Sequence, residues 1–376
     1  MMNKKAKMIT TSIVLVSAMA LGGRVVFGIN NNSPLNINDV IENVVSNNAD
    51  INLYKEKIRV KEKWYSHKEE KRKNDLQYDE DIKKDVLPLK EEIDIGNLEW
   101  ERGQTEDKVV VEAKELYYKI LIQNKMINIQ EKTVERLKKE LENKKQKIKV
   151  GTEASISLVG DETNLKNAQV KLEELRADRE KFALKLNMKM GTPVSGEVKL
   201  KDAEVPYETF NVNNLESVID IMMKKHHTIK YLEKEEHAKI QEKNITHQYA
   251  NAQDDDEVAK HPDRNYKSKE DDMEDDLIEI KYKMDDEKKN IQSKVRIDYN
   301  NILNLENFIE AKKLDINKAE TLLNAEKVQL KVGRSTQIQV DSKEEDFLMA
   351  KLQYENAKLD YYVAVENFKN YIRVAL

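Results

Sequence analysis

The apolar positions of this chain recur every seven residues over long stretches. Ile120, Ile127, Val134, Leu141 and Ile148 form one column, and Ile302, Ile309, Ile316, Leu323 and Leu330 form another. A strict seven-residue apolar period lies along one face of an α-helix and implies a left-handed supercoil against a neighbouring helix. The stretch from Leu98 to Lys149 holds one Gly and no Pro. A continuous helix there spans on the order of 75 Å at 1.5 Å per residue. After Lys149-Val150-Gly151, and again after Lys331-Val332-Gly333, a break of about a dozen residues leads into a further heptad run. In the later run Phe347, Tyr354, Tyr361 and Phe368 occupy one column, with Ala350, Ala357 and Ala364 beside them. Alanine leaves the hole that an aromatic knob fills, so these residues are expected to pack facing helices closely. The earlier run is looser, with Leu165, Leu172 and Leu186 beside Ala168, Leu175 and Phe182. These columns are read as core.

The two halves of the chain also repeat each other, which decides the architecture. Val40, Ile41, Val44 and Ile51 match Val218, Ile219, Met222 and Ile229 at an offset of 178. From Tyr117 to Ala168 the offset is 182, carrying Tyr117 onto Tyr299, Lys149-Val150-Gly151 onto Lys331-Val332-Gly333, and Ala168 onto Ala350. The first copy is expected over 35–190 and the second over 212–376, joined by a Gly- and Pro-bearing linker at 191–211. Each copy reads as an ascending helix (near Asp39 to Lys84, then Leu215 to about Gln253), a far turn, a long descending helix, a tight turn at Lys-Val-Gly and a returning helix. The expected far turns are Val86 to Gln104, with Pro88, Gly96 and Gly103, and Gln253 to Asp276, broken by Pro262. Like-charged runs such as Asp254 to Glu257 and Glu270 to Asp276 suggest solvated loops. The fold class is therefore all-α: two tandem repeats of long antiparallel coiled-coil helices, with little or no β-barrel.

Composition agrees with this and removes other classes. Of 376 residues, 65 are Lys or Arg and 70 are Asp or Glu, yet the net charge is only −5; there are 10 Gly, 5 Pro and no Cys. So few turn residues argue against a doubly wound or barrel enzyme. High charge leaves long helices or disorder, and the heptads favour helices. Near-balanced charge argues against a nucleic-acid partner, and the lack of Cys removes disulfides and thiolate chemistry. At the N-terminus, basic Met1 to Lys7 followed by apolar Met8 to Leu21 reads as a secretory signal peptide over 1–28, with Ala18-Met19-Ala20 or Val26-Phe27-Gly28 as its end. The alternative is an uncleaved N-terminal anchor. His67, His226, His227, His237, His247 and His261 include no zincin spacing, and the acidic runs lack the Gly of a calcium loop. With no nucleophile elbow or phosphate loop either, no enzymatic activity, cofactor or metal is expected.

The order of these features resembles the TolC-like outer-membrane efflux factor family. In that family each of two helical repeats carries a long helix ending at Val-Gly, an acidic residue several positions on, and a following helix with heptad Ala. The matching residues here are Val150-Gly151, Asp161 and Ala168, then Val332-Gly333, Asp341, Ala350, Ala357 and Ala364. The resemblance covers nearly all the chain beyond the signal segment. It implies a homotrimer forming an α-helical tunnel, whose tips at Val150, Gly151, Thr152 and at Val332, Gly333, Arg334 dock onto a periplasmic adaptor protein of an efflux pump or type I secretion system. It further implies export and a place in the outer membrane.

One departure alters that expectation. The family builds a membrane barrel from β-hairpins at the far turns, and a membrane strand needs about 9–11 alternating residues. Here only Glu92 to Ile95 and Leu277 to Met284 alternate, and both are heavily charged. Charges facing hydrocarbon and unpaired edges would cost several kcal/mol each. With a residue usage rich in Lys, Asn and Ile, this suggests a barrel-less relative from a bacterium without an ordinary outer membrane, such as a Gram-positive one, placed outside the cytoplasm or in the cell wall. A second reading of the same repeats is an exported coiled-coil scaffold or spacer with no transport role.

Overall fold

The computed structural model describes residues 33–70, 76–154 and 158–376. The expected signal segment at 1–28 lies outside the described residues. Residues 35–376 form one compact unit. In it, helix α1 (Ile37–Asn47) leads into α2 (Ala49–Glu69), then α3 (Gln77–Asp85), the 63-residue α4 (Leu87–Lys149) and α5 (Leu158–Met190). The second half gives α6 (Leu215–Lys225), α7 (His227–Ala252), the short α8 (Asp255–Lys260), the 66-residue α9 (Tyr266–Lys331) and α10 (Gln337–Tyr371).

Local chemistry sets the ends of these helices. Asn36 opens α1 with a capping box: its Oδ1 accepts from the Asn38 and Asp39 amides at 2.8 and 3.1 Å, and the Asp39 carboxylate accepts from the Asn36 amide at 2.8 Å. Asn48 then breaks the chain and caps α2, accepting from the Asp50 and Ile51 amides. In the second half Asn214 caps α6 and His226 caps α7. The starts of α6 and α7 fall 178 residues after those of α1 and α2, and the end of α9 falls 182 after that of α4. Each ascending segment thus opens with a short helix that turns into a longer one.

The far ends correct the sequence reading. Residues 87–104, expected as a turn, are the first turns of α4. Pro88 sits in the opening turn, where its missing N–H would have had no partner. Gly96 and Gly103 cost about 1 kcal/mol each in a helix. Packing offsets this: Ile93 is buried, Tyr65 donates to Asp94 at 2.7 Å, and Trp100 stacks on His227. The acidic run Glu270 to Asp276 is helical as well. It lies beyond the first turn of α9 and meets α7 through Lys243–Glu274 at 3.0 Å and Lys239–Asp276 at 2.9 Å. Met273 points into the core between them. The two short alternating runs, 92–95 and 277–284, are likewise helical, and among the described residues the pairing of extended chain is limited to one isolated bridge, Leu35 with Leu200. Breaks after the near turns are also shorter than expected; the second spans only Val332 to Thr336.

Two cores form, the first of which also takes in Leu352 and Leu359 of α10. Val40, Val44, Ile120 and Leu186 lie at the centre of the first, and Ile219, Met222, Ile302, Tyr361 and Phe368 at the centre of the second. At near depth α4 packs with α5 and α9 with α10; further up α4 packs with α2 and α9 with α7, while α10 and α7 reach across to α4. The 191–211 segment is held, not loose. Leu35 donates to the Lys199 carbonyl at 2.9 Å, Lys201 donates to the Leu35 carbonyl at 2.8 Å, and Val198 and Val205 are buried. Tyr117 pins this bridge by donating to the Lys201 carbonyl at 2.5 Å. Tyr299 holds the start of the second half, accepting from the Val212 amide at 3.4 Å. Tyr117→Phe is expected to cost about 1 kcal/mol, the net worth of a hydrogen bond from a buried phenol to the partly buried Lys201 carbonyl. A urea melt reads this directly, and an unchanged midpoint would show that the bridge is held without the phenol.

Candidate functional site

The two near turns are the exposed ends of the long hairpins. Both long helices stop in the same way. Gly151 has φ +80° and Gly333 has φ +73°, in the left-handed region that glycine enters without a Cβ penalty. The Gly151 amide donates to the Ile148 carbonyl and Thr152 to the Lys147 carbonyl, both at 2.9 Å. In the second tip Gly333 donates to Leu330 at 3.0 Å and Arg334 to Gln329 at 2.9 Å. This double bond pattern is a Schellman motif, and it satisfies the last carbonyls of each helix. No heavy atom lies within 4 Å of where a Cβ would stand on either glycine, and Val150 and Val332 are exposed. Each tip therefore presents an apolar side chain beside open backbone.

The tips differ in charge. Lys147 pairs with Glu153 in the first at 3.4 Å, and Lys144 braces α4 against α5 through Asp161 at 2.6 Å, which holds the Lys144 ammonium above its ordinary pKa. The second carries the exposed Arg334, and α10 starts from a Thr336–Gln339 capping box, with Asp341 accepting from Gln337 at 2.7 Å. So Asp161 and Asp341, the acidic residues that follow the two tips, do different work.

The alanines sit in the packing columns. Ala168 is buried against Val134 and Leu172, and Gln130 of α4 donates to its carbonyl at 2.9 Å. Ala350 is buried, Ala357 lies in the second core with Tyr361 and Phe368, and Ala364 packs against that core while partly exposed. The sequence reading missed the contacts that join the halves. Arg136 on α4 forks onto both carboxylate oxygens of Glu345 on α10 at 2.8–3.1 Å, and Thr133 donates to the same carboxylate. Hydrogen bonding to Glu345 raises the guanidinium's pKa further. Lys114 and Glu366 make a second α4–α10 pair at 2.8 Å. A usable signal for the first was an arginine in a strongly lysine-rich chain, since the planar fork suits a bidentate carboxylate.

Outside these contacts some helix faces stay uncovered. On α9, Phe308 and Leu322 lie fourteen residues apart, as do Leu314 and Val328; all four are exposed. On α2, Leu53 and Val60 are exposed seven residues apart, next to Trp64. Two heptads return to the same helix face, so each pair shares a face, with Asp315 and Thr321 between the members of the α9 pairs. Among the described residues no helix is long and apolar enough to cross a membrane, and no group of three or more His, Asp or Glu is placed to hold a metal.

Helical hairpins of this length, joined in two halves and ending in glycine tips, define a TolC-like fold. The outer-membrane channel OprN matches with a TM-score of 0.66 at 9% identity, over 89% of each chain. The outer membrane protein VceC from Vibrio cholerae matches at 0.64 and 10% identity, over 89% of this chain and 95% of that one. The Campylobacter jejuni CmeC outer membrane channel matches at 0.61 and 10% identity, over 90% of this chain and 86% of that one. No protein-family model matches the chain, and no curated protein matches it by sequence. The likeness is one of fold, held at an identity where little but the packing pattern is shared.

Proposed function

We propose that this chain is a non-enzymatic subunit of a TolC-like efflux or secretion conduit in the cell envelope. It is exported by the Sec pathway, assembles as a homotrimer into an α-helical tunnel, and docks by Val150-Gly151-Thr152 and Val332-Gly333-Arg334 onto a periplasmic-adaptor-type protein. The tunnel gives passive passage to the substrates of a pump. The observation that supports this best is an unequal pair of equivalent helices. α7 packs on α9 of its own half and on α4 of the other, whereas α2 packs chiefly on α4. The bare side of α2, with Leu53, Val60 and Trp64, matches a place that a second copy's outer α9 face would fill. Repeating that contact around a closed ring leaves neither face bare.

The mature protein is expected to run as a trimer in mass photometry, alone or with an adaptor hairpin. Phe308→Glu with Leu322→Glu should give monomers with unchanged helicity. A wild-type particle that stays monomeric with every adaptor hairpin would sink the proposal.

The helical, charged far ends favour one second reading, a coiled-coil scaffold or spacer. Bulky residues at Gly151 and Gly333 separate the two: a conduit loses export of its cargo, whereas a scaffold is little affected.

A further inference from the structure

One pair of ionic contacts shows that the repeat reaches the far end of the molecule. Lys61 of α2 pairs with Asp94 of α4 at 2.7 Å, and Lys239 of α7 pairs with Asp276 of α9 at 2.9 Å. The lysines stand 178 positions apart and the carboxylates 182, the two offsets that relate the halves. So α2 lies on α4 in the register in which α7 lies on α9. The packing of α7 on α4 is then a pattern for the contact that the opening turns of α9 would make with α2 of a second copy.

In the pattern, Leu89 and Ile93 of α4 line one groove with Glu233 and His237 of α7. The same offsets carry Leu89 and Ile93 onto Asp271 and Asp275, and carry Glu233 and His237 back onto Lys55 and Arg59. All four are exposed, and Asp271 and Asp275 have no ion-pair partner among the described residues. A groove that is apolar on its α4 side within the chain becomes acid against base between copies. The wider surfaces agree: from Glu270 to Glu279 α9 carries seven acidic residues and no basic one, while from Lys55 to Lys63 α2 carries five basic and two acidic. Of the two ion pairs described between α4 and α7, Lys90–Glu242 maps onto Asp272 and Trp64, whose ring carries the Lys68 ammonium at 5.0 Å. Glu92–Lys234 maps onto two carboxylates, Glu274 and Glu56, each already held in its own copy, by Lys243 at 3.0 Å and by Arg59 at 2.7 Å. The aromatic contact fits as well. Trp100 stacks on His227, and the offsets turn this into Tyr282, 74% exposed, over the exposed Ala49, which leaves room for the ring.

We infer that copies of this chain join at their far ends through a charged seam, with Lys55 and Arg59 of one copy on Asp271 and Asp275 of the next and Tyr282 over Ala49. The inference rests on the proposed assembly and gives it a register and a chemistry at this end. Opposite charges across a contact select the partner and fix its register, because a wrong juxtaposition sets like charges together. Each copy offers one acidic and one basic face, so the seam runs head-to-tail and repeats around a ring. Salt screens exposed ionic contacts and not buried apolar ones, so it acts on the seam and spares the fold.

Charge reversal tests this by sedimentation velocity of the mature protein over a concentration series, with helicity read by circular dichroism. Lys55→Glu with Arg59→Glu should raise the concentration of half-assembly by about tenfold or more, since like charges then face each other. Asp271→Lys with Asp275→Lys should do the same, and all four changes in one chain should return it to within about threefold of wild type. Raising NaCl from about 50 to about 500 mM should weaken wild type and relieve either reversed pair. Undiminished assembly of the reversed pairs, or no recovery in the fourfold variant, overturns the seam while the assembly reading stands. A wild type that never assembles, alone or with an adaptor hairpin, overturns that reading and the seam with it. If a reversed chain loses helicity, wild type alone decides: assembly weakened about threefold or more at the higher salt supports the seam, and anything less overturns it.

Discussion

Gly191→Ala is expected to destabilise the protein by about 3 kcal/mol or more, well beyond the same change at the hairpin tips. Gly191 has φ +65°, and a Cβ there would stand 2.7 Å from the Asn47 carbonyl oxygen and 2.8 Å from the Asn47 Cβ. The left-handed backbone alone costs a residue with a Cβ roughly 1–2 kcal/mol, and overpacking against backbone adds about 1–3 kcal/mol. The neighbour cannot yield easily, because the next residue, Asn48, caps α2 and is tied to the Lys189 carbonyl at the end of α5. Gly151→Ala meets open space and should cost only the backbone preference, about 1–2 kcal/mol. Urea melts of the two variants side by side give the comparison; equal midpoints would mean that α1 and α5 are not locked at this crossing.

Ile302→Ala should cost about 3 kcal/mol, within the range for a buried isoleucine truncated to alanine. Ile302 is 0% exposed, in the core that α9 shares with α6 and α10. Leu314, on the same helix but 68% exposed, should change monomer stability by less than about 0.5 kcal/mol when cut to alanine. Its effect belongs instead to association, so stability should be read at low protein concentration and assembly at high. A Leu314→Ala variant that loses as much monomer stability as Ile302→Ala would place the outer face inside the chain's own core.

Much of this contrast is legible in the amino-acid sequence. In the two seven-residue columns Ile120, Val134, Leu141, Ile302, Ile309 and Leu323 are buried, while Ile127, Ile148, Ile316 and Leu330 are half-buried; the inward face is legible because helix periodicity is a local property. The near turns are legible for the same reason: Lys-Val-Gly ends a helix through its own backbone. The far ends mislead because Pro88, Gly96, Gly103 and the run from Glu270 to Asp276 look like breakers when taken alone. Pro88 is tolerated by its place in the first turn of α4, and the others by packing and by partners such as His227, Lys239 and Lys243. Contacts across the halves leave almost no trace in the sequence. Arg136 and Glu345 stand 209 positions apart, and Asn97 and His227 stand 130 apart; no period connects them.

Tyr117 and Tyr299 fix the two halves at matching points, and from each of them the long helix runs 32 residues further, to Lys149 and to Lys331. At 1.5 Å per residue both tips stand about 48 Å below their anchors. The two hairpins thus reach equally far from their anchors. Deleting a single turn from α4 or α9 would shorten one reach by about 5 Å while leaving both glycine tips chemically intact, so a body that rests on both tips would lose one of its two footings.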